Sequence, residues 1–403
     1  MIVNDPLFRP IKSTYYFSDL TAYIEMSSAS GLSLLKKEEQ NCMNTSSFGT
    51  GELIKDAINK GLTTINLYIG GSATNDGGIG IASALGFEFY DKFKKLLYPI
   101  GKKKGFDQQV IDWTTAAGSK DRHSKSINII DATSLIGNMR LIKDEHEISL
   151  IRKACDISAE AHIEAMKSVK DGDNEQQIES MYIHEFSKRG ARFPAYNPII
   201  AGGENACVLH YVENNQNLKS SDLLLVDAGC EYQMYAADIT RTFPVSGKFS
   251  EEQLQIYKIV LDAMNAAIDS VKEGNNIMQP QEISEKVITE GLVNIGLLKG
   301  DPEELHKSGA YKDFYMHKIG HWLGLDVHDA GDYTEGDEFM TFKPGMITTI
   351  EPGIYISSKM DVDDKWKGIG VRIEDDILVT KDGNENLTKK VPSDPNEIES
   401  LMS

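Results

Sequence analysis

The apolar positions of this chain fall into two regimes. Over residues 1–103, short apolar runs such as Ile65–Ile69 alternate with glycine-rich turns, Gly70-Gly71-Ser72 and Asp76-Gly77-Gly78, and a helix is predicted near Ile79–Leu85. Strand-like runs punctuated by glycine and followed by a helical stretch read as an α/β segment. Lys102-Lys103-Lys104, a helical patch around Val110–Ala117 and the polar stretch Gly118–Lys125 come next, which places a junction near residues 100–126.

Beyond the junction the pattern changes. A strand is predicted over Ile127–Ile130, and a long helix opens at Asp144, an N-cap type of residue followed by Glu145 and Glu147 in the first turn. Ile148, Ile151 and Cys155 recur at helical spacing, and the pattern runs to about Val169. After Gly190, strands are predicted at Pro198–Ala201, Leu223–Val226, Ile347–Ile350 and Ile373–Val379, with helices near 251–272 and 281–296. No internal repeat of fixed short period is present.

At 403 residues the chain is long enough for two or three cores. Its formal charge of −19 repels phosphate backbones and anionic lipid, which argues against a nucleic-acid or membrane partner. No apolar run approaches the roughly 18 residues that span a bilayer, and the start MIVNDPLFRP lacks the basic-then-apolar pattern of a signal peptide. Cys42, Cys155, Cys207 and Cys230 are scattered without a CxxC pair, as in a reducing compartment, so a cytoplasmic protein is expected.

The acidic excess matters because some of it is patterned. Asp227 ends the apolar run Leu223–Val226, so a buried strand would push a carboxylate out of the core. Asp238 follows eleven positions later, a separation that suits the facing strand of a hairpin turning through Gly229–Gln233. Two carboxylates aimed at one point repel unless a cation lies between them. Three of nine histidines, His317, His321 and His328, fall in one glycine-punctuated run, and Lys318 stands where a single-zinc HExxH site needs glutamate. Glu351 and Glu374 each follow a β-branched apolar residue, which places both on half-buried strands where an unpaired carboxylate is costly. Arg372 reads as a group that orients a bridging carboxylate. Four carboxylates and one imidazole form a hard, oxygen-rich set that suits Mn²⁺, and they exceed what one ion needs. Two ions about 3.5–4 Å apart would use all five.

From about Phe106 onward the chain resembles the Xaa-Pro aminopeptidase (aminopeptidase P) family, with prolidase and methionine aminopeptidase as more distant relatives. The resemblance is carried by Gly202–Tyr211, Val226–Cys230, Ala237–Pro244, His321–His328 and Val371–Asp376. It implies an α+β pita-bread (creatinase/aminopeptidase) catalytic domain over residues 142–403, with two pseudo-symmetric halves around a curved sheet. It also implies Asp227, Asp238, His321, Glu351 and Glu374 as ligands of two divalent ions, favouring Mn²⁺, with Asp238 and Glu374 bridging. His210, His317 and His328 would surround the substrate, and Arg372 and Tyr355 would support the ligands. The implied reaction releases the N-terminal residue of peptides with an Xaa-Pro N-terminus, by a water activated between the ions, with Glu351 handling its proton. A prolidase-type dipeptidase and a silent peptide-binding module are the alternatives.

The front departs from that family. Only residues 104–141 look like a remnant of its N-terminal domain and linker, which leaves homo-oligomerisation open. Residues 4–101 instead resemble an internal piece of glycerate kinase, through Ile24–Leu32, Phe48–Ile54 and Gly70–Gly78. Residues 1–103 are therefore read as a kinase-like α/β fragment, too short for phosphoryl transfer.

Overall fold

The structure, a computed structural model, describes residues 1–42, 44–87, 95–118 and 128–403. The stretch 119–125 and Ile127, which the sequence assigns to a polar segment and the start of a strand, lie outside the described residues. Two compact units divide the chain: residues 1–96 with 108–129, and residues 97–107 with 130–403.

In the first unit, Thr21–Glu25 lies parallel to Thr64–Tyr68 and antiparallel to Tyr16–Ser18. Ala22 and Ile24 face a small core with Leu53 and Ala57 of the helix Phe48–Asn59. The predicted strand at 65–69 and helix at 79–85 appear as Thr64–Tyr68 and Ile79–Ala84.

The second unit has the pita-bread architecture expected. Its first half opens with the helix Glu145–Ser168, and the sequence explains why it starts there. The Asp144 side chain accepts from the Glu147 amide at 2.9 Å and the Glu147 carboxylate accepts from the Asp144 amide at 2.8 Å, a reciprocal cap. Ile148, Ile151 and Cys155 are buried along one face. The helix Glu175–Lys188 is capped in the same way by Asn174. Leu223–Asp227 lies at the centre of a three-stranded antiparallel sheet, flanked by Ile199–Gly202 and Thr240–Pro244.

The second half repeats the plan. The helix Glu251–Ser270, capped by Ser250 with Gln253, and the helix Gln279–Asn294 accompany a sheet in which Ile347–Ile350 pairs with Asp375–Thr380. Gly353–Ile356 pairs with Ile369–Arg372. A β-bridge, Thr240 to Glu374, joins the two halves, and a large apolar core runs through both. No helix among the described residues is long and apolar enough to cross a membrane.

Candidate metal centre

Four strand ends deliver the acidic side chains. Asp227 closes its strand as expected, and its register opposite Thr240 sets it beside the other half of the molecule. Asp238 is not on a strand: it stands in the break between Tyr235–Ala236 and Thr240–Pro244. The expected turn at 229–233 is instead two short strands, Cys230–Tyr232 and Tyr235–Ala236, joined by Gln233 and Met234, both with positive φ. Glu351 and Glu374 likewise fall at breaks, the first just past Ile347–Ile350 and the second between Ile369–Arg372 and Asp375–Thr380. The strand placement predicted for both is thus corrected. Where a ladder breaks, a side chain is released from the strict two-face alternation of a strand, and these carboxylates turn inward together.

His321 arrives by main-chain pairing. The Leu323 amide donates to Ile347, the Thr349 amide to His321 and the Glu351 amide to Ile319, at 3.1, 2.9 and 2.7 Å, so residues 319–323 run against 347–351. His321 Nδ1 lies 3.1 Å from the Trp322 carbonyl oxygen. That bond places a proton on Nδ1 and turns Nε2 toward the carboxylates, 3.4 Å from Asp238 Oδ2 and 3.6 Å from Glu351 Oε1, where a cation could displace its proton.

Oxygen and nitrogen atoms of Asp238, His321 and Glu374 come within 4.8 Å of one another. Asp227 is joined to Asp238 by the Tyr196 hydroxyl, which donates to Oδ1 of both. Burial, with Asp227 and Asp238 adding, holds that phenol well above the usual tyrosine range, so it stays a donor. The charges fit a cation. Burial and then Asp238 push Glu374 well above the usual carboxylate range. Burial and then Asp227 raise Asp238. Burial also lifts Glu351 to about 7, against the pull of His321 and Arg372. Burial disfavours the charged form of His321, but Asp238 and Glu351 outweigh it and bring the imidazole to about 9. Crowded carboxylates that resist ionisation together are what a divalent ion would relieve.

The remaining predicted residues divide. Arg372 does not donate to a bridging carboxylate as expected. Its Nη2 meets Asp227 at 2.5 Å and its Nε meets the Thr240 hydroxyl at 3.3 Å, while that hydroxyl donates to Glu374 at 2.6 Å. The lapse of the strand at Ile373 separates the Arg372 side chain from the Glu374 carboxylate, and Thr240 links them instead. Tyr355 joins Arg372 Nη1 at 3.2 Å to His317 Nε2 at 2.8 Å, and His317 Nδ1 lies 2.8 Å from the Lys318 carbonyl oxygen. Burial and Arg372 lower His317 to about 4, which keeps it neutral. His210 and His328 are exposed on the walls, His328 with its ring 4.3 Å from that of His321.

The four carboxylates, the four histidines and Arg372 line a cleft of about 760 Å³, together with the apolar Ile277, Trp322, Phe339 and Phe342. Sequence reasoning missed Tyr196 and Thr240. Neither residue type signals a ligand, and Tyr196 sits in Pro194–Pro198 with no pattern to mark it.

A buried, oxygen-rich constellation at strand breaks of this fold defines a metallohydrolase class. The model of metallopeptidase family M24 matches residues 149–381, and the chain belongs to that family. The Xaa-Pro aminopeptidase of Haemophilus influenzae is 51% identical over 68% of this chain, and that of Escherichia coli is 45% identical over 71%. The chain spans 64% of the length of each. The structure of the Pseudomonas aeruginosa aminopeptidase PepP superposes with a TM-score of 0.74 at 47% identity, covering 76% of this chain and 70% of that one. The glycerate kinase family model matches residues 1–130.

Proposed function

We propose that this protein is an exopeptidase that releases the N-terminal residue from peptides carrying proline in second position. The observation that carries the proposal is the meeting of Asp238, His321 and Glu374 within 4.8 Å, with Asp227 and Glu351 beside them, inside a cleft of peptide size. The names borne by relatives at 51% and 45% identity support the substrate class.

Asp227, Asp238, His321, Glu351 and Glu374 would hold two divalent ions, and the preponderance of carboxylate oxygen favours Mn²⁺. Bound there, the ions would supply an acidified water and positive charge toward the scissile carbonyl. Glu351, 3.6 Å from His321 Nε2 and lining the cleft, would take up and return the proton of that water. Arg372 fixes Asp227, and through the Thr240 hydroxyl it also steadies Glu374. His317 stays neutral and locks Tyr355 against that guanidinium. His210 and His328 present ring nitrogens from the cleft wall as donors to substrate carbonyls. The apolar wall of Trp322, Phe339 and Phe342 excludes water and suits a proline ring. Four unpaired cysteines, two of them buried, fit a cytoplasmic setting.

The test is incubation with Mn²⁺ and a short Xaa-Pro peptide, beside the same peptide with alanine replacing proline. Release of the first residue from the proline peptide alone is expected. Equal cleavage of both, or of neither, contradicts the proposal.

A further inference from the structure

We infer that the helix Thr133–Leu141, with the Lys143 that follows it, is a clamp that positions His328 for substrate by holding the loop Gly324–Asp332. The inference rests on the peptidase reading in so far as His328 meets substrate there.

Main-chain bonds hold the loop at its start: the Gly324 amide donates to Asp326 at 3.2 Å, the Asp329 amide to Trp322 at 2.8 Å and the Ala236 amide to Gly324 at 2.8 Å. The Trp322 indole donates to the Asp332 carbonyl at 3.3 Å. The ion pairs and side-chain bonds to the loop's carboxylates come from residues 134–143. Ser134 and Asn138 donate to the Asp332 carboxylate at 3.1 and 3.0 Å, and the Asp332 amide returns a bond to Asn138 at 3.2 Å. Arg140 donates to Asp326 at 2.7 Å and also to Asp329. Lys143 Nζ meets Asp329 Oδ2 at 3.1 Å, and both side chains are only 1% exposed.

The fit is close as well as polar. A Cβ at Gly324 would lie 2.2 Å from Asp329 Oδ2 and 2.9 Å from Lys143, so only glycine lets the loop fold over the buried pair. A Cβ at Gly137 would stand 3.1 Å from the Gly331 amide, which brings helix and loop backbones together. His328 is next to Asp329, and Val327 and His328 both line the cleft. The clamp therefore sets where one wall of the cleft stands, without touching substrate itself. Residues 130–141, part of the stretch 104–141 that resembles a remnant of an N-terminal domain and linker, pack in the same unit as the site.

The test uses the full chain and the double variant Asn138→Ala/Arg140→Met, which leaves the Lys143–Asp329 pair intact. With Mn²⁺ and an Xaa-Pro peptide, kcat/KM is expected to fall about tenfold in the parent background, less than the roughly 100-fold that a 1 Å misplacement of a reacting group can cost. In the His328→Ala background the same change is expected to cost under about twofold, because coupled sites are not additive. Mn²⁺ affinity by calorimetry stays unchanged. Equal losses in both backgrounds, or a parallel fall in Mn²⁺ affinity, overturn the clamp. Histidine side-chain NMR of the metal-free protein separates this outcome from failure of the peptidase reading. The His328 signal is expected to shift or broaden in the double variant while that of buried His162 does not move. An unmoved His328 signal overturns the clamp even if the parent cleaves no Xaa-Pro peptide.

Discussion

Thr240 and Glu374 bond each other twice: the Glu374 amide donates to the Thr240 carbonyl at 3.0 Å, and the Thr240 hydroxyl donates to the Glu374 carboxylate at 2.6 Å. This double contact is one of those that join the two halves of the second unit, and it aims Glu374 into the constellation. Thr240→Val keeps the shape and the main-chain bond but removes the hydroxyl. Loss of a group that orients a ligand costs about 10- to 100-fold in metal affinity. A fall of that size in Mn²⁺ affinity by calorimetry, with the fold retained, is expected.

Asp238 faces both Tyr196 and His321, so its removal takes away a central member of the proposed ligand set. Asp238→Ala is expected to lower kcat/KM below detection in a peptide-release assay while leaving far-UV circular dichroism unchanged. Retained turnover would show that the constellation is not the reacting centre.

Gly320 explains the glycine in the histidine run. A Cβ there would lie 1.9 Å from the Thr349 carbonyl oxygen, backbone that cannot swing aside. Gly320→Ala must therefore part the segment bearing His321 from the strand that leads to Glu351. A loss of stability of about 2–3 kcal/mol is expected in urea denaturation. A fall in Mn²⁺ affinity should accompany it.

His162 sets an acid limit on stability. It is fully buried, its Nε2 3.0 Å from the Ala228 carbonyl and its Nδ1 2.9 Å from the Tyr182 hydroxyl. Burial lowers it to about 3. Between about 3 and 6.5 the unfolded chain binds the proton that the folded chain refuses. The contribution of neutral His162 is thus complete above 6.5 and is lost as pH falls toward 3, at up to about 1.4 kcal/mol per pH unit. His162→Gln should flatten the acid limb of a stability-versus-pH series, and an unchanged slope would contradict the assignment.

Much of this constellation was legible because its residues obey simple patterns. An apolar run that ends in Asp227 and three histidines among glycines stand out without any structure. The breaks did not. Gln233 and Met234 take positive φ without glycine to mark the turn, so Asp238 was placed on a strand it does not join. Arg372 meets Asp227 directly and Glu374 only through the Thr240 hydroxyl, a linkage that no spacing in the sequence marks. Tyr196 was invisible, since one hydroxyl gains its role only when folding brings Asp227 and Asp238 to it. The helix Glu145–Ser168, by contrast, was readable from its reciprocal cap and apolar spacing.

The most direct test is a calorimetric titration of the metal-free protein with Mn²⁺, in parallel for the parent, Asp238→Ala and Glu374→Gln. Two ions per chain in the parent and fewer in each variant are predicted, with stabilisation of the parent by about 2.7 kcal/mol for each site at which free Mn²⁺ is 100 times Kd. No binding by the parent, or the same stoichiometry in all three proteins, would contradict the account.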